Sequence, residues 1–76
     1  MTKGDVVMKD SIMELEILLD YLINHNKEHA DEVLVLAEKA VALGKISVRD
    51  DLLNGVEAMN KSNEYLKCAL KGLRNE

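Results

Sequence analysis

The sequence predicts an all-α protein, and three observations support this class. Apolar residues make up 47% and charged residues 32% of the 76 residues, a composition typical of amphipathic helices. The chain has no Pro, Phe or Trp, which argues against a sandwich or a barrel. Apolar residues also recur at steps of three and four over two long stretches, the spacing that places them on one helical face.

The first predicted helix spans residues 12–43. Residues 1–10 have no usable period, so we expect a flexible lead-in before a single helical domain at 11–76. Ser11 opens a capping box, in which a Ser and a Glu three residues later satisfy backbone N–H groups at the start of a helix. The predicted seam positions follow without a break: Ile12, Leu15, Leu19, Leu22, Asn26, His29, Val33, Leu36, Ala40 and Leu43.

The second predicted helix spans residues 48–73. Gly44 is expected to end the first helix in a left-handed conformation, since Gly has no Cβ to oppose it. Ser47 is expected to cap the second helix, with acidic residues in its first turn. Its seam positions keep a clean heptad with one polar member: Leu52, Val56, Met59, Asn63, Leu66, Leu70 and Leu73.

A three-helix bundle with a break near residues 24–27 is the alternative architecture. Three weak helix formers lie together at 24–26, and a new helix could begin at Lys27. However, no Gly or Pro is present there to form the turn. A continuous first helix of ~48 Å also matches a second helix of ~39 Å. We therefore predict a long antiparallel hairpin.

The predicted hairpin carries more apolar surface than one partner helix can cover. The segment from residue 33 to residue 43 is apolar nearly all round, so it needs neighbours on more than one side. Leu34, Val35 and Val41 are the predicted interaction surface. We expect a homodimer that forms a four-helix bundle, with an unidentified protein partner as the alternative. In a monomeric three-helix bundle, the same residues would face the other two helices.

Two histidines carry the sequence-based hypotheses about sites. Pairing about a turn near residues 45–46 places His29 beside Asn63, a predicted buried polar layer that would fix the register. His25 and His29, four residues apart, share a helix face and could bind one metal ion, with Glu32 as a third ligand. The zinc-protease motif is excluded, because Asn26 stands where its general-base Glu is required.

The sequence contains no complete set of catalytic residues, so we predict no enzyme. The leading function is a non-enzymatic helical interaction or oligomerisation module with no cofactor. The alternative is a small accessory domain that binds a divalent transition metal through His25 and His29.

Net charge and cysteine content limit the classes of partner and the cellular compartment that we expect. A net charge of −4 argues against nucleic acid, and no apolar run approaches the ~20 residues of a membrane span. One cysteine, Cys68, is predicted to be exposed and cannot form an internal disulfide, so we expect a cytoplasmic protein. An acidic segment at 10–20 and a basic one at 61–74 are expected to attract each other.

The segment from Leu18 to His29, with Ala37-Glu38-Lys39-Ala40 and Asn63-Glu64-Tyr65-Leu66 after it, resembles a small uncharacterised helical domain of bacteria and archaea. The resemblance covers about residues 15–73 and centres on a His-Asn-x-Glu-His core, which here is His25 to His29. It implies a link to nickel or cobalt handling, because members often follow a His-rich tail. Leu22 departs from the pattern, which has an aromatic residue there.

Overall fold

Two long helices form an antiparallel hairpin. The computed structural model describes the backbone of residues 2–75 and the side chains of residues 10–75. Helix α1 spans Thr2–Ala42, and helix α2 spans Ile46–Asn75. The described chain contains no strand, which confirms the all-α hairpin. Helix α1 runs through residues 24–27 without a break, so the three-helix alternative is wrong.

Helix α1 begins earlier than the sequence predicts. It starts at Thr2, so the expected cap Ser11 lies inside the helix, and the predicted lead-in is helical from residue 2 to residue 10. A capping box is a local preference, and a backbone with no Pro can continue the helix through it. Met1 and Glu76, the outermost residues of the predicted lead-in and domain, lie outside the described residues.

The turn at residues 43–45 is a short helix-ending motif. Gly44 has φ 74°, as predicted. The N–H of Lys45 donates to Ala40 O (2.8 Å), and the N–H of Gly44 donates to Val41 O (2.9 Å), the two bonds of a Schellman motif. The Lys45 carbonyl already accepts from the Arg49 N–H (3.0 Å), so α2 begins at once.

The predicted cap of the second helix is therefore wrong. Because α2 starts at Ile46, Ser47 lies inside its first turn, and that turn contains no acidic residue. The consequence is a turn shorter than expected. Pairing across the hairpin shifts by about three residues relative to the sequence-based register.

The two helices face each other through a heptad of buried or half-buried residues, which we call the seam. On α2 it contains all seven predicted positions and Arg49. On α1 only four of the ten predicted positions are right: the structure buries positions one residue further along than Leu15, Leu22, His29 and Leu36, and it leaves Ile12 and Leu43 exposed. The observed α1 seam consists of Glu16, Leu19, Ile23, Asn26, Ala30, Val33, Ala37 and Ala40.

The hairpin is elongated and encloses little core. It measures 63 × 15 × 12 Å with a radius of gyration of 18.0 Å, whereas a compact chain of this length has one of about 11 Å. Its accessible surface is 6128 Å², against about 4,700 Å² expected for a compact protein of 8.5 kDa. Within the described chain, neither helix has an apolar stretch long enough to cross a bilayer.

Candidate interaction surface

On each helix, one row of residues lies on each side of the seam. A row of α1 and a row of α2 together form one edge of the hairpin, and contacts between the helices show which rows belong together. Arg74 Nη2 donates to Asp20 Oδ2 at 3.2 Å, so the basic end of α2 does meet the acidic part of α1. Leu34 and Leu53 line one shallow groove nearer the turn. Heptad steps from these residues define the salt-bridge edge: Met13, Asp20, Lys27, Leu34 and Val41 of α1, with Ile46, Leu53, Asn60, Lys67 and Arg74 of α2.

The rows on the other side of the seam form an edge with different chemistry, which we call the leucine edge. In an antiparallel pair, these two rows necessarily lie beside each other. None of the nine residues is Asp, Glu, Lys or Arg, although such residues are 32% of the chain. The leucine edge consists of Leu15, Leu22, His29, Leu36 and Leu43 of α1, with Val48, Gly55, Ser62 and Ala69 of α2.

Large side chains on the leucine edge are exposed to water. Leu22 is 43% exposed, Leu36 49% and Leu43 75%. On α2 the same edge carries small residues, and a Cβ added at Gly55 would meet no atom within 4 Å. The edge is therefore an apolar surface with open space beside it, and it runs along most of the hairpin.

The predicted interaction residues do not form one surface. Leu34 and Val41 lie together in the groove with Leu53 on the salt-bridge edge. Val35 follows Leu34 by one residue, a rotation of about 100° that points it away from α2. All three are exposed, as an interaction surface requires. The sequence pattern does not distinguish the leucine edge, because it assigns these leucines to the seam.

The buried polar contact joins Asn63 to α1. Asn63 is 7% exposed, and its Nδ2 donates to the backbone oxygen of Ile23 at 2.9 Å. Its Oδ1 accepts from Asn26 Nδ2 at 3.0 Å. His29 is about half exposed and lies on the leucine edge, so the predicted layer of His29 with Asn63 is wrong. The shorter turn, which shifts the register by three residues, explains the change of partner.

The two histidines converge on each other at the middle of the leucine edge. His25 Nε2 and His29 Nε2 lie 2.9 Å apart, so one nitrogen donates a hydrogen bond and the other accepts it. The His25 ring stacks on Tyr21, with centroids 5.4 Å apart and planes at 14°. Glu32 Oε2 lies 3.5 Å from His29 Nδ1, on the opposite side of that ring from Nε2.

The geometry brings two of the three predicted metal ligands together. Glu32 lies beside the other nitrogen of His29, 3.5 Å from Nδ1, so it does not join them. Among the described residues, no group of three or more His, Cys, Asp or Glu side chains is placed to hold a metal ion. One chain therefore presents two imidazoles. Cys68 is exposed, as predicted, and takes no part in this cluster.

A family model matches residues 15–73, which include the turn and the whole leucine edge. The chain belongs to the family described as a domain of unknown function, DUF8180. No curated protein and no solved structure matches it. The DUF8180 description names no ligand, so the link to nickel or cobalt stays a prediction.

Proposed function

We propose that this chain is a non-enzymatic helical self-association module, in which a second copy covers the leucine edge to form a four-helix bundle. The observation that supports it is the charge-free edge, whose leucines are about half exposed. The two seam positions and the one leucine-edge position of each heptad would then all face the interior of the four-helix bundle. That three-in-seven pattern is typical of bundle helices that bury one face against several neighbours.

The size of the leucine edge fits a stable dimer. From Leu15 to Leu43 it is about 40 Å long at ~1.5 Å per residue. Two helices with axes 8–10 Å apart give a face about 15–20 Å wide, so each copy would bury ~600–800 Å². A standard interface buries ~800 Å² per partner. The hairpin's surface also exceeds that of a compact protein by more than such a face would cover.

A second copy is the occupant that the chain's own properties favour. Chains of this size seldom hold a core worth more than about 3–5 kcal/mol alone, and self-association is a common remedy. The edge also offers no charge pattern with which to select a charged partner. Small residues on α2, among them Gly55 and Ala69, leave room for leucines of the other copy.

Sedimentation velocity with a matched pair of variants tests the proposal. The wild-type chain should sediment at twice 8.5 kDa at tens of micromolar. Leu36→Glu, on the leucine edge, should sediment as a monomer because it buries a charge in the interface. Leu34→Glu, similarly exposed but on the salt-bridge edge, should remain dimeric. A wild-type monomer, or dissociation by Leu34→Glu alone, would overturn the proposal.

Binding of a divalent transition metal by His25 and His29 is a second candidate function. One observation favours it: the two Nε2 atoms lie 2.9 Å apart, close to the separation of two ligands on one ion. Loss of binding in a His25→Ala, His29→Ala variant, measured by calorimetry, is the expected result. The two functions are compatible, since the histidines lie on or beside the leucine edge.

A further inference from the structure

We infer that the two-fold axis of the dimer passes beside His29, so that the two copies together hold one divalent transition-metal ion on four imidazoles. This inference rests on the proposed self-association through the leucine edge. Beyond that proposal, the inference specifies where the two-fold axis lies and which ligand the interface binds.

The spacing of the leucine edge locates the axis. A two-fold interface pairs a surface with itself, so every residue meets a residue equally far from the axis on the other side. Leu15, Leu22, Leu36 and Leu43 are placed symmetrically about His29 in steps of seven. With the axis at His29, antiparallel α1 helices pair Leu22 with Leu36 and Leu15 with Leu43. His29 alone then meets its own copy.

Moving the axis by one heptad gives a poorer match. Centred on Leu22, the same row would pair His29 with Leu15. Centred on Leu36, it would pair His29 with Leu43. Both alternatives bury an imidazole against a leucine, which leaves its polar nitrogen atoms without a partner from the other copy.

The two imidazoles of one chain already have the separation of ligands on a single ion. Metal–nitrogen bonds of 2.0–2.1 Å place neighbouring ligands about 3.0 Å apart in an octahedral site and about 3.3 Å apart in a tetrahedral one. His25 Nε2 and His29 Nε2 are 2.9 Å apart. Their separation is therefore compatible with two ligands of one ion, once both nitrogens turn from each other toward that ion.

Contacts around both rings are compatible with such a site. The Glu32 carboxylate lies 3.5 Å from His29 Nδ1 and away from Nε2, the nitrogen that would bind the metal. Tyr21 stacks on His25 and limits rotation of its ring. Metal-binding histidines commonly have such an outer carboxylate, and it fixes both the tautomer and the ring orientation.

One chain alone cannot complete the site. No third His, Cys, Asp or Glu of the described chain joins the pair. A second copy related by an axis beside His29 contributes an identical pair, which makes four nitrogen ligands. Four-coordinate sites made of imidazole nitrogen suit Zn²⁺ and related ions such as Co²⁺ and Ni²⁺.

Calorimetric titration of the full chain at pH 8 with Zn²⁺, Co²⁺ and Ni²⁺, each alone, tests the shared site. We expect one ion per two chains, and at least 100-fold weaker binding in a His25→Ala, His29→Ala variant. Asn24→Ala, Glu28→Ala is the matched control, because these residues are also exposed, lie four apart and precede each histidine by one. One ion per chain, or unchanged binding in the His variant, would overturn the inference.

Disulfide trapping tests the axis without metal. In a Cys68→Ser background with EDTA, chains carrying Leu22→Cys should cross-link to chains carrying Leu36→Cys. Neither variant should cross-link to itself, because its own two sites would lie ~20 Å apart, beyond the reach of a disulfide. Efficient self-cross-linking of Leu22→Cys would place the axis elsewhere.

Sedimentation in EDTA separates the two proposals. A dimer that forms in EDTA but binds no metal overturns the shared site and leaves the self-association module intact. A monomer with EDTA and with each metal overturns both. A dimer that forms only with metal supports the shared site, and it overturns the proposal that the leucine edge alone drives assembly.

Discussion

The two edges of the hairpin flank the same seam, yet they differ in how they meet water. The salt-bridge edge carries charged residues along its middle and open end, where Arg74 contacts Asp20. Its apolar residues are concentrated near the turn, where Leu34 and Leu53 line a groove. The leucine edge has no Asp, Glu, Lys or Arg along its length. Charged side chains suit part of the first edge to solvent, whereas the second edge is suited to a neighbour.

The seam explains why this asymmetry exists. Helix α1 places alanines at three of its buried positions, Ala30, Ala37 and Ala40, while larger leucines stay outside. Small residues let the two helices approach closely, but they bury little apolar area themselves. Apolar area that could stabilise this fold therefore stays exposed on the hairpin, part of it on the leucine edge.

The largest expected effect concerns concentration. If the leucine edge is covered by a second copy, the thermal unfolding midpoint of the wild-type chain should rise with protein concentration, because association stabilises the folded state by mass action. Leu36→Glu should lower the midpoint and remove its dependence on concentration. Circular dichroism from 2 to 200 µM measures both effects.

Leu34→Glu is the control for the other edge. It should leave the concentration dependence in place, since the salt-bridge edge faces solvent in the proposed dimer. A wild-type midpoint that stays constant over the hundredfold range would mean that the two edges do not differ in function.

The two helices also differ in how well their sequences predict which residues are buried. On α2, most of the large apolar residues lie in one phase of the heptad, and all seven predicted positions are correct. On α1, Leu22 precedes Ile23 and Leu36 precedes Ala37, so two phases of the heptad are apolar. Hydropathy favours the leucines. The structure buries their neighbours, because α1 has two apolar faces and only one meets α2.

The candidate sites show the same limit. The His25 and His29 pair follows from helical spacing, and the structure brings the two side chains together. The partner of Asn63 depends instead on the length of the turn. Helix α2 begins before the expected cap Ser47, and this shorter turn shifts the register between the helices by three residues. Residue patterns locate faces, but a register between helices needs the geometry of the turn.

The next prediction concerns the polar contact in the seam that both edges share. Replacing Asn63 with Leu removes its bond to the Ile23 carbonyl and leaves Asn26 without its partner. The free energy of unfolding should fall by about 1–3 kcal/mol, the cost of losing hydrogen bonds to part-buried groups. Urea denaturation of the chain at fixed concentration measures this loss.

A double-mutant cycle identifies the partner. Asn26→Leu combined with Asn63→Leu should cost less than the two single changes together, since neither polar group is then left unpaired. His29→Ala combined with Asn63→Leu should be additive. Coupling of Asn63 to His29, and none to Asn26, would restore the register that the sequence predicts.

The smallest expected effect compares a single methyl group in two environments. Gly55 lies inside α2, and a Cβ there meets no atom of its own hairpin, so Gly55→Ala should stabilise the isolated helix by about 0.5–1 kcal/mol. Gly55 also lies on the leucine edge, where the proposed second copy packs closely against it. In the Leu36→Glu background, which we expect to be monomeric, the gain should therefore appear in full. In the wild-type background the gain should shrink or reverse, and sedimentation should show weaker association.

Gly72→Ala is the control for this prediction. Gly72 is also open but lies outside both edge rows, so it supplies the reference for helix propensity alone. An equal gain from Gly55→Ala in both backgrounds would show that no second copy approaches α2 on this edge.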